Sequence, residues 1–150
     1  MPKTVQEFVA RATEKVGKDL ETLALKIPAE KRYWRADGKG RSAADQLAEC
    51  ALMNLNAVEL LETHKWPLAD WDEWGRLKND LAEDWDTLLS ALAANTAKLA
   101  AAIRAVPDTD LDIDIVLPWE TANMAEVLNY CYWNMSYHEG QITFISLLLE

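Results

Sequence analysis

The sequence predicts an all-α protein, a four-helix bundle with long connections between helices 1 and 2 and between helices 3 and 4. Apolar residues recur at three- and four-residue steps along four long segments, which is the period of an α-helix with one buried face. Residues that end or cap helices flank these segments. No internal repeat, low-complexity tract or linker divides the 150 residues, so we expect one domain over 1–150.

The ends of the four predicted helices are marked in two ways. Pro28 and Pro107 follow the last periodic residues of the first and third helices and cannot continue them. Ser42 and Asn123 precede the second and fourth helices, and each has an acidic residue three positions later, as in a capping box. The helices are therefore expected at residues 4–27, 43–63, 79–105 and 124–148.

The connections carry acidic and aromatic residues. Apolar and acidic residues alternate after Pro107 as in a β-strand, but no partner strand is evident, so an extended loop with a solvated acidic run at 108–114 is predicted. Seven tryptophans are a heavy load for this length, and most are expected to seal the ends of the bundle. As an alternative, Trp34, Trp66 and Trp119 line the mouth of a small-molecule pocket.

Charge and cysteine content exclude several classes of partner. The formal net charge of −10 argues against nucleic acid and anionic membranes, which repel an acidic protein, and favours a small-molecule ligand. The chain opens without a charged and then apolar leader, and no run approaches 18 apolar residues, so we expect a cytoplasmic protein. Cys50 and Cys131 lack paired spacing and are expected to be reduced core thiols.

The fourth predicted helix carries a polar stripe within its apolar face. Cys131, Asn134, His138 and Gln141 are spaced by three, four and three residues, which places them on one side of the helix. Inward polar groups need partners: each other, Glu49 or Asn56 on the second helix, or trapped water. Alternatively His138 binds a metal, for which Glu49 is an acceptable co-ligand and the Asn134 oxygen a weak one.

Two stretches, SAADQLAEC (42–50) and NMAEVLNYCYWNMSYHEGQI (123–142), resemble the signatures of the DinB/YfiT-like superfamily of four-helix proteins. In that family a histidine follows seven residues after the Ser or Thr that caps helix two. Helix four carries an H-x-x-x-H pair that runs into G-Q-I. The resemblance places Glu49 at the first histidine position, Asn134 at the second and His138 at the third, so only one histidine is retained.

Family members with all three histidines are similar to metal-dependent thiol S-transferases and hydrolases. The resemblance therefore implies a weakened site in which Glu49, Asn134 and His138 hold one divalent metal, zinc or nickel. The alternative is a charge-assisted hydrogen bond between Glu49 and His138 without metal. Two functions stay open: a degenerate metal-dependent enzyme acting on a small thiol, amide or ester, and a non-catalytic bundle that binds a small apolar ligand or itself. The family also implies a homodimer.

Overall fold

The computed structural model describes residues 4–68 and 70–150, and it confirms the predicted four-helix bundle. The bundle helices are α1, α2, α4 and α6, and α3 and α5 are shorter. Between α4 and α5 lies a two-stranded hairpin. The elements in chain order are α1 Val5–Ala24, α2 Ala43–Thr63, α3 Trp71–Ala82, α4 Trp85–Ala105, β1 Asp114–Val116, β2 Thr121–Asn123, α5 Met124–Val127 and α6 Tyr130–Leu148.

Two of the three consecutive pairs of bundle helices, α1 with α2 and α4 with α6, do not pack side by side. Helix α1 packs against α4 and α6, and α2 packs against the same two helices, so α1 and α2 lie on opposite corners of the bundle. The long connection between them, residues 25–42, makes this diagonal crossing possible. Helix α3 lies outside the four, against α2 and α4. This order brings the polar stripe of α6 next to α2.

The two capping residues predicted from the sequence accept the expected hydrogen bonds. The Ser42 side chain accepts from the Asp45 backbone N–H at 3.1 Å, and α2 begins at the next residue as predicted. The Asn123 side chain accepts from the Glu126 N–H at 2.9 Å, and the Glu126 carboxylate accepts from the Asn123 N–H, which completes a capping box. The start of α2 fixes the position of Glu49 along the bundle.

The structure corrects three of the four predicted helices, and the first of them, predicted at 4–27, ends at Ala24. The third predicted helix, 79–105, is two helices, because the Asp84 backbone leaves helical geometry and its side chain caps α4 by accepting from the Thr87 N–H at 2.7 Å. The first of the two, α3, begins at Trp71, inside the connection predicted between the second and third helices, and Asp70 caps it. The fourth predicted helix, 124–148, is α5 followed by a tight turn and α6.

The prediction of an extended loop after the acidic run was also wrong in part. Residues Asp114–Val116 form an antiparallel strand pair with Thr121–Asn123, and Ile115 lies opposite Ala122. The partner strand was missed because it is only three residues long and directly follows the turn PWE. The inward residue of each strand, Ile115 and Ala122, is buried in the core, which anchors the hairpin at one end of the bundle.

The core has two apolar parts along the bundle axis. One includes Leu99, Ile103, Met124 and Cys131 near the hairpin, and the other includes Leu20, Leu47, Leu88 and Ile142 beside the start of α2. Full burial of such side chains stabilises the fold by about 1.5 to 3 kcal/mol each before entropy costs. In the described part of the chain, no helix has both the length and the apolar character needed to cross a membrane.

Candidate functional site

The structure brings together the three side chains that the family register selected. His138 on α6 is 1% exposed, and its Nε2 lies 3.0 Å from Glu49 Oε1 on α2. Asn134, one turn before His138, donates its amide N–H to the same Glu49 oxygen at 3.1 Å. Whether these three residues hold a metal remains a prediction.

The other ring nitrogen of His138 also faces oxygen atoms. Nδ1 lies 2.9 Å from Gln46 Oε1 and 3.1 Å from Gln141 Oε1. Both amides are oriented by a second hydrogen bond, since Gln46 donates to the Arg41 carbonyl and Gln141 donates to the Tyr137 hydroxyl. Both ring nitrogens therefore lie within hydrogen-bond distance of side-chain oxygens, and the tautomer of the ring sets which nitrogen donates.

Two cations that the sequence interpretation missed complete this arrangement. Arg41 Nη1 lies 2.6 Å from Glu49 Oε2, and Arg41 Nε pairs with the Asp45 carboxylate. Lys78 Nζ, from α3, pairs with the other oxygen of Asp45. We call Arg41, Asp45, Glu49, Lys78 and His138 the charge cluster. Its two fixed cations already balance its two carboxylates.

The pKa values of both carboxyls reflect these partners. Burial alone raises the pKa of Glu49, but the hydrogen bond from His138 and the positive charge of Arg41 outweigh it and lower that pKa from 4.5 to about 2. Burial also acts to raise the pKa of Asp45, but hydrogen bonds from Lys78 and Arg41 outweigh it, so that pKa is lowered. Both groups are therefore ionised and paired at neutral pH.

The residues present fit a bound divalent metal poorly. Zinc and nickel sites need three or four good donors, and here only Glu49 and the His138 ring qualify. Asn134 presents its amide N–H to Glu49, and the Arg41 guanidinium lies against the remaining carboxylate oxygen. Across residues 4–68 and 70–150, no group of three or more His, Cys, Asp or Glu side chains is arranged to hold a metal ion.

A cavity of about 650 Å³ lies on the other side of Asn134, within the range of small-molecule sites. The Asn134 Oδ1 atom is buried and has no hydrogen-bond partner among the described residues. Aromatic side chains and two carboxylates are half of the lining residues. The lining residues are Met53, Trp119, Glu120, Thr121, Ala122, Glu126, Asn129, Tyr130, Trp133 and Asn134.

The tryptophan prediction holds only in part. Trp119 lines the cavity, but Trp34 and Trp66 do not. Trp66 instead packs edge-on against Trp119, with ring centroids 5.1 Å apart, and supports that wall from behind. The cavity thus depends on the hairpin and α6 more than on the loops before α3.

The two cysteines are core residues, as expected. Cys50 and Cys131 are buried and form no disulfide. Burial raises the pKa of the Cys50 thiol well above its ordinary value, and burial raises that of Cys131 to about 12. Protonated, enclosed thiols are poor nucleophiles and poor metal ligands.

Comparison with known proteins agrees with this architecture. The family model of the DinB superfamily matches residues 12–142. A solved structure, YfiT from Bacillus subtilis, described as a probable metal-dependent hydrolase with an unusual four-helix bundle topology, superposes with a TM-score of 0.82 at 17% identity. The alignment covers 99% of this chain and 90% of that one, and at this identity it shows the fold. No curated protein matched the sequence.

Proposed function

Since the chain belongs to the DinB superfamily, we propose that it is a metal-independent member that binds a small molecule in the cavity beside Asn134. One observation carries the proposal: Arg41 Nη1 lies 2.6 Å from Glu49, where a family member with three histidines would present a ligand to its metal. A divalent ion would add two positive charges to a cluster whose fixed charges already cancel.

The cavity supplies the other half of the proposal. Trp119, Tyr130 and Trp133 provide flat apolar walls, and carboxylate and amide side chains also line the cavity. Apolar walls with a few converging polar groups are the usual composition of a small-molecule site.

A metal-assisted hydrolase or thiol transferase is the second candidate function. It is favoured by the direct approach of His138 Nε2 to Glu49 Oε1 at 3.0 Å, because a carboxylate and an imidazole are two of the ligands such a site needs. Water would have to fill the other positions, and Arg41 would have to leave the carboxylate. The two candidates therefore differ in whether metal accompanies the folded protein.

Elemental analysis of the protein purified without a metal-affinity tag separates these candidates. We expect zinc, nickel and iron far below one atom per chain. Ligand binding is tested in parallel with 2-phenylethanol, a neutral aromatic probe, by following the indole N–H signals of Trp119 and Trp133 in NMR spectra. One metal atom per chain would favour the hydrolase, and unmoved indole signals at saturating probe would remove the cavity as a binding site.

The predicted homodimer is part of the same proposal. Helix α6 is apolar outside as well as inside, and Trp133, Tyr137, Phe144 and Leu147 form an outer stripe that is 53–63% exposed at each residue. Such a contiguous apolar face is typical of a surface that a second chain covers. Sedimentation equilibrium should show a dimer that Phe144→Lys weakens, whereas a monomer at all concentrations would contradict this assignment.

A further inference from the structure

We infer that the cavity selects organic cations, molecules with an ammonium group on an apolar body, an inference that deepens the proposed ligand-binding function and rests on it. Among the described residues that line it, the charged side chains are Glu120 and Glu126, and none is a lysine, arginine or histidine. Two tryptophans and a tyrosine share the same wall. Carboxylates and aromatic faces together are the groups that bind ammonium ions.

Each of the two carboxylates uses one oxygen within the protein. Glu120 Oε1 accepts the Tyr130 hydroxyl at 2.6 Å, and Glu126 Oε2 accepts the Asn123 backbone N–H at 3.1 Å. These hydrogen bonds fix the side chains but add no positive charge. Burial and the Glu120 carboxylate raise the pKa of Tyr130 to about 12, so the phenol remains a neutral donor at pH 7. No described cation pairs with either carboxylate, so the described wall has a charge of −2.

The contrast with the charge cluster strengthens this inference. There, Glu49 meets Arg41 and His138, and Asp45 meets Arg41 and Lys78. Glu120 and Glu126 are exposed to solvent and lie among the same lining residues as the aromatic rings, so an ammonium group there can contact a carboxylate and a ring face together. The net charge of −10 further concentrates cations around the chain and repels anions.

Three probes with the same aromatic body test the charge preference: 2-phenylethylammonium (+1), 2-phenylethanol (0) and 3-phenylpropanoate (−1). We expect the cation to bind about tenfold more tightly than the alcohol, and the anion most weakly, at low salt. Dissociation constants are measured by calorimetry, and the Trp119 and Trp133 indole signals locate the site. Equal affinity for cation and alcohol would overturn the charge preference while leaving the proposed ligand binding intact, and no binding of any probe would overturn both.

A charge-neutral variant sharpens the test. Glu120→Gln with Glu126→Gln removes both charges but keeps acceptors for Tyr130 and Asn123. The double variant should lower the affinity for the cation about five- to tenfold and change the affinity for the alcohol by less than about twofold. Glu30→Gln with Glu83→Gln, two exposed carboxylates outside the cavity lining, removes the same net charge as a control. An equal loss of cation affinity in the control pair would show that overall charge alone attracts the probe.

Discussion

The two sides of Asn134 differ in how the protein balances its charges. On the α2 side, its amide N–H, Arg41 and His138 surround Glu49, and each of the two carboxylates of the charge cluster has a cation within contact distance. On the other side, its carbonyl oxygen has no partner among the described residues, and the cavity that Asn134 lines has two carboxylates and no described lining cation. Asn134 thus lies between a cluster whose charged groups are paired and a cavity whose carboxylates have no cation partner among the described residues.

This difference shows which polar groups serve the fold and which are available to a ligand. Buried polar groups without partners cost stability, so a protein normally pairs them internally. The charge cluster follows that rule, and its residues should matter for stability. The cavity departs from it, and its residues should matter for binding instead.

Removing the buried ring of the charge cluster should have the largest effect. His138→Ala leaves a void and deprives the Glu49 carboxylate of a partner, so we expect the free energy of unfolding to fall by roughly 2 to 3 kcal/mol. Urea denaturation measures this free energy of unfolding. His64→Asn provides the control, because His64 is the left-handed C-terminal cap of α2 and Asn accepts that conformation. An equal loss of unfolding free energy in both variants would show that His138 contributes no more to stability than His64.

The stability of the charge cluster should depend on acid. The folded pKa of Glu49, about 2, is below its ordinary value of 4.5, so its contribution is fully present above pH 4.5 and is lost as the pH falls towards 2. We expect the contribution to be roughly 2 kcal/mol, allowing for partial exposure of the carboxylate. Glu49→Gln should flatten the loss of stability below pH 4.5 in denaturation series, whereas an unchanged profile would mean that Glu49 titrates normally.

The guanidinium that holds Glu49 should contribute less, because it is partly exposed. Arg41→Gln breaks two ion pairs at once, and we expect it to lower the free energy of unfolding by about 1 kcal/mol. Arg76→Gln removes an equally spaced (i, i+4) pair with Asp80 on exposed α3 and should cost close to nothing. If the two variants have the same denaturation midpoint, Arg41 is an ordinary surface residue.

The cavity carboxylates should have the smallest effect on stability. Glu120→Gln and Glu126→Gln keep their hydrogen bonds to Tyr130 and Asn123, so each should change the free energy of unfolding by less than about 0.5 kcal/mol. The measurement is the same urea denaturation at neutral pH. A loss above about 1 kcal/mol would show that these charges stabilise the fold, and the contrast between the two sides of Asn134 would disappear.

The sequence indicated the centre of the charge cluster but not its edges. Counting from Ser42 placed Glu49, and counting back from G-Q-I placed Asn134 and His138, because helical spacing converts sequence distance into position. Arg41 lies just before α2, in a polar connection, and its spacing of four from Asp45 was the signal of pairing that the sequence interpretation did not use. Lys78 reaches the cluster from α3, whose start was not predicted.

The cavity could not be found from local patterns. Its wall includes the hairpin residues Glu120–Ala122, and a hairpin of two three-residue strands has too little periodicity to distinguish it from a loop. The cavity also needs Met53 from α2 and Trp133 from α6, two helices far apart in the chain. Local periodicity predicts helices, whereas a cavity depends on how distant segments meet.

The central claim is that protein cations, rather than a metal, balance Glu49. Titration of the tag-free protein with zinc and with nickel by isothermal calorimetry tests it directly, beside the variant Glu49→His with Asn134→His. We expect little or no binding to the parent and at least about ten- to a hundredfold tighter binding to the variant, in which three imidazoles converge. Tight, stoichiometric binding of zinc or nickel to the parent would contradict the account.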